Sequence, residues 1–89
     1  MSTITLEGMQ QDRLVMLVAR ALAVANEAAL AEGVVPTDSA VTISEESSDT
    51  GRQWRINYGA RDPVGRRGGD LIVLVDEGGQ AVQRILRGQ

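Results

Sequence analysis

The sequence predicts an α+β fold: one long N-terminal helix packed on a curled four-stranded antiparallel meander sheet, a cystatin-like roll. Three observations predict it. Apolar residues recur at helical spacing over residues 9–32, the period changes from 3.6 to 2 beyond Pro36, and clusters of Gly, Ser and Asp divide the remainder into strand-like runs.

The helix comes first. At 100° per residue, Leu14, Val18, Ala21, Leu22, Ala25, Ala28 and Ala29 fall on one stripe, with Leu17 at its edge. Arg13, Arg20 and Glu27 repeat on the opposite side. Seven alanines between Ala19 and Ala31 favour the helix intrinsically. Gly33 supplies a left-handed stop and Pro36 forbids continuation. At the other end, either Thr5 caps a helix beginning at Leu6, or residues 2–6 are extended. The stripe is graded, bulky at its start and almost all alanine at its end. Small side chains let another backbone come close, so the alanine half is expected against a sheet that supplies the bulk.

Four strands follow. Residues 40–46 alternate Val41 and Ile43 with Thr42 and Ser44, and Ser47–Gly51 is turn chemistry. Residues 52–58 set Trp54, Ile56 and Tyr58 on one face against Gln53, Arg55 and Asn57. An Arg- and Gly-rich loop, residues 59–69, leads to an apolar strand at 70–76. The turn Asp76-Glu77-Gly78-Gly79 then opens a last strand at 80–87. The expected core is Leu14, Val18, Leu22, Ile43, Trp54, Ile56, Val73 and Val75. The third strand is apolar on both faces, which calls for cover on both. With one helix available, Ile72 and Leu74 are left to the N-terminal segment, to flanking side chains, or to another chain.

Composition narrows the chemistry. Eighty-nine residues suffice for one small domain, which buries roughly 60–65% of its unfolded surface. His, Cys, Lys and Phe are all absent. Disulfides, imidazole or thiolate metal sites, Schiff-base lysines and Ser-His or Cys-His nucleophiles are thereby excluded. A net charge of −3 gives no strong field for nucleic acid or membrane. No basic start with an apolar run marks a leader, and the longest unbroken apolar run, Leu14 to Ala19, falls short of the roughly 20 residues of a membrane span. A cytoplasmic setting is expected.

The remaining candidates are few. Asp62, Asp70, Asp76 and Glu77 lie near strand ends, where they could gather at one rim as a carboxylate pair for acid–base work. Glu45, Glu46 and Asp49 form an acidic patch around the first hairpin. None has the alternating oxygen ligands of a calcium loop. The Gly59–Gly69 loop matches no phosphate-loop spacing and precedes a strand rather than a helix. No cofactor and no catalysis are expected.

The C-terminal stretch GGDLIVLVDEGGQAVQRILRGQ, together with Trp54 and the alanine-rich helix, resembles the small immunity proteins of the nuclear-transport-factor-two-like fold from bacterial polymorphic toxin systems. The matching residues are Trp54, Gly68, Gly69, Leu71 to Val75, Asp76, Gly78 or Gly79, Arg87, Gly88 and Gln89. The resemblance implies a cytoplasmic antitoxin that occludes its toxin stoichiometrically and catalyses nothing. A small self-associating or accessory domain and a peptidase-inhibitory domain are the alternatives. Residues alone place the partner-binding surface at Tyr58, Arg61, Arg66, Arg67, Ile72 and Leu74: an apolar centre rimmed by arginines, facing a toxin or a second copy of the chain.

Overall fold

The computed structural model describes residues 6–60 and 70–88, with side chains from Arg13 onward. Helix α1 spans Leu6–Ala31, a 3₁₀ turn covers Pro36–Asp38, and four strands follow: β1 (Ser39–Ser48), β2 (Gly51–Ala60), β3 (Leu71–Asp76) and β4 (Val82–Arg87). All neighbouring pairs are antiparallel and the sheet order is β1-β2-β3-β4. The fold is α+β, one helix on a four-stranded antiparallel meander.

The helix ends as its glycine dictates. Gly33 takes φ +83°, its amide donates to Leu30 O at 3.0 Å, and the Val34 amide donates to Ala29 O at 2.9 Å. That paired closure satisfies carbonyls the last turn would otherwise leave bare. At the other end the helix starts at Leu6, three residues before the start predicted from periodicity; Thr5 lies outside the described residues.

Register fixes the faces. Ile56 stands opposite Ile43 and Val73, and Tyr58 opposite Val41 and Leu71. These residues share the helix side with Trp54, Val75 and Ile85. The core there joins Ala21, Ala25 and Ala29 of α1 to Trp54, Ile56, Tyr58, Leu71, Val73 and Val75. The bulk is on the sheet and the small residues on the helix, as the graded stripe predicts. Each sheet residue so buried stabilises the fold by roughly 1.5–3 kcal/mol.

Four predicted core residues sit differently. Leu14 lies on the stripe yet is 52% exposed; the helix residues packed on the core begin at Leu17. Val18 and Leu22 are half-buried, and so is Ile43, on an edge strand to one side of the helix axis. Strand ends also shift. β4 begins at Val82 instead of Gln80 because the Asp76 carboxylate takes the Gln80 and Ala81 amides, at 2.7 and 3.1 Å, away from the ladder. Between Leu74–Arg84 and Val75–Val82 the register slips by one, so Gln83 is the extra residue of a bulge on β4.

The β3–β4 turn approaches the helix backbone closely. Gly79 has φ +70°, and a Cβ built there would stand 2.9 Å from the Ala21 amide nitrogen and 3.2 Å from the Leu17 carbonyl oxygen. Helix backbone rests directly on this glycine. Gly79→Ala is expected to cost roughly 2–4 kcal/mol, through the clash together with the left-handed backbone. Gly33→Ala, at φ +83° with open space around it, should cost only about 1–2 kcal/mol. Urea unfolding of both variants separates the two terms.

Candidate functional site

The sheet face opposite α1 carries the most site-like feature of the described residues. Here Gln53, Arg55 and Asn57 of β2 flank Ile72, Leu74 and Asp76 of β3, with Arg84 and Leu86 of β4 beyond. Ser48, Asp49, Thr50, Gln53, Leu74, Gln83 and Arg84 line a shallow open groove of about 590 Å³. Leu74 is its apolar lining; the rest is hydroxyl, amide, one carboxylate and one guanidinium. The bulge at Gln83 and the turn after Ser48 place residues from opposite sides of the sheet around one depression.

Of the predicted partner-binding residues, Ile72 and Leu74 do lie on this outer face, as their alternation requires. They are not a bare apolar centre. Leu74 is 8% exposed and Ile72 is half-buried. Leu74 stands between Arg55 and Arg84 in the register, and such long side chains cover apolar neighbours with their methylene stems. Arg61, Arg66 and Arg67 lie outside the described residues.

Tyr58 is corrected outright. It is fully buried on the helix side, and its hydroxyl donates to Asn26 Oδ1 at 2.7 Å. A ring opposite Val41 and Leu71 under the helix presents no surface to a partner. Desolvation holds the phenol protonated and pushes its pKa up to about 12. Asn26, which residue-by-residue reading passed over, is the polar residue that makes this burial tolerable. Its signal was there: an amide set among alanines just off the buried stripe.

Among the described residues the carboxylates do not gather at one rim. Asp70 precedes β3 and Asp76 closes it, so they stand at opposite ends of a six-residue strand, about 20 Å apart. Asp70 accepts from Asn57 Nδ2 at 3.0 Å, and its backbone carbonyl accepts the Gly88 amide at 2.7 Å. Asp76 organises its own turn. Asp62 lies outside the described residues. The acidic patch is largely matched across the hairpin: Arg52 donates to Glu45 at 2.6 Å, Gln53 donates to Glu46 at 2.8 Å, and Arg55 stands 4.0 Å from Glu46. Among the described residues no group of three or more metal-ligating side chains could hold an ion.

One side of α1 is bare. Val15, Met16 and Leu30 are 62%, 60% and 57% exposed. Segment Arg13–Ala31 is long and apolar enough, by length and composition, to cross a membrane, which inspection of unbroken apolar runs did not reveal. In this fold its Ala21, Ala25 and Ala29 edge is sealed against the sheet.

Tyr58 makes stability depend on pH in a defined window. The folded chain holds the phenol proton more tightly than the unfolded chain, whose tyrosine titrates near 10. Its contribution is therefore complete below pH 10 and is lost as pH rises towards 12. Chemical unfolding at stepped pH, followed beside the phenolate absorbance, should show this loss in the native chain and its absence in Tyr58→Phe.

None of the protein-family models, curated proteins or solved structures compared with the chain matches it.

Proposed function

We propose that this chain is a non-enzymatic protein-binding domain, specifically a cytoplasmic immunity protein that neutralises a cognate bacterial toxin by occluding it stoichiometrically. The toxin sits on the outer face of the sheet. The observation that carries this reading is the groove around Leu74, an apolar lining bounded by polar side chains of two hairpins. Such a face offers hydrogen-bonding groups around an apolar floor that is already largely covered, so a partner would be held chiefly by polar contacts of the kind found at an interface rim. Asp49 and Arg84 at its margin give opposite charges with which to orient a partner.

The inventory of charged groups supports the same reading. Asp70, Asp76, Glu45 and Glu46 are each engaged by neighbouring donors that build strand ends and hairpins. The protein-class resemblance of the C-terminal hairpin supplies the toxin as partner.

The test is whether the neighbouring gene encodes a toxin-domain protein, followed by co-expression with that product and binding of the purified pair. Wild type should protect cells and form a one-to-one complex. Gln83→Trp, which fills the groove from an exposed bulge position, should raise Kd by at least about tenfold. Arg84→Glu should mainly slow association and alter its salt dependence. Both variants should keep the native melting temperature. Catalytic turnover by the purified chain, or an affinity indifferent to both substitutions, would overturn the proposal.

A further inference from the structure

The solvent side of α1 carries an exposed apolar stripe. Met16, Ala19, Ala23 and Leu30 are all exposed and fall within about 60° of one another on the helix, on the side away from the sheet. Their spacing of three, four and seven residues is the seam of a helix pair. Along one border run Arg13, Arg20 and Glu27. Neither Arg20 nor Glu27 has an ion-pair partner among the described residues.

We propose that this face joins two copies of the chain, their α1 helices antiparallel and crossing near Ala23. The charges select that occupant and that direction. Around a twofold axis near Ala23, Arg20 of each copy lies beside Glu27 of the other, so one geometry makes two opposite-charge contacts. A parallel pair would carry Arg20 and Glu27 of the two copies to opposite flanks of the seam, so neither would meet the other. Sizes agree with the same axis. Alanines meet at the crossing, where the backbones come closest, and Leu30 of each copy reaches Met16 and Ala19 of the other. A bilayer is the poorer occupant, because inserting this face would carry Arg20 and Glu27 towards hydrocarbon without partners. The outer faces of the two sheets remain free in such a dimer. The inference is therefore independent of the toxin-binding reading.

Sedimentation of the whole chain across a concentration series tests it. Wild type should sediment as a dimer. Arg20→Glu and Glu27→Arg should each weaken self-association by about tenfold, since two attractive contacts become repulsive. Mixed in equal amounts, the R20E and E27R chains should dimerise as tightly as wild type, because each then supplies the charge the other lacks. That recovery also shows both variants to be folded. A wild-type chain that stays monomeric, a dimer indifferent to both substitutions, or a mixture that fails to recover would overturn the proposal. So would a monomeric chain that instead co-sediments with phosphatidylcholine vesicles.

Discussion

The close approach of helix backbone to sheet is the constraint from which the rest of this structure follows. Ala21, Ala25 and Ala29 are sealed, and Gly79 lies under the Leu17–Ala21 turn with no room for a methyl group. A helix this close cannot contribute bulk, so β2 and β3 supply it through Ile56, Tyr58, Leu71, Val73 and Val75. The polar atoms caught in the contact must then be matched locally. Tyr58 finds Asn26, and the Trp54 indole donates to the Glu77 carbonyl at 3.0 Å, tying β2 to the very turn on which the helix rests. Arg87 reaches the Glu32 carbonyl and carboxylate at 2.8 and 3.2 Å, fastening β4 to the far end of the helix.

The same constraint explains which parts of the fold were legible in the residues. The period change at Pro36, the Gly33 stop and the alternation of Trp54, Ile56 and Tyr58 are local signals, and the elements they mark are where they should be. The graded stripe even told which layer would carry the bulk. Leu14 misled because helical phase says which side a residue is on, and not where along the helix packing on the core begins. The start of β4 misled because a side chain, Asp76, took over two amides that the pattern assigned to the ladder. Both are decided by tertiary geometry.

The site was less legible than the fold. Alternation placed Ile72 and Leu74 on the outer face, but alternation says nothing of cover, and Leu74 is 8% exposed there. The groove joins the turn after Ser48 to the bulge at Gln83, a meeting across the whole width of the sheet that no local pattern encodes. The bare side of α1 was hidden for another reason. Alanines read first as helix formers, and only their exposure distinguishes a propensity choice from a second surface.

The meander order has a kinetic meaning. Every strand pairs with its neighbour in the chain, so the sheet forms by closing short loops in succession, each at small entropic cost. The helix is different: its chain enters the sheet at the β1 edge, while its packing is chiefly over β3, two strands away. Its docking surface does not exist until the β2–β3 and β3–β4 pairs have formed and Gly79 is in place. The order of strands thus makes the sheet the template and the helix the late arrival, and concentrates the slow, non-local step of folding in a single docking event.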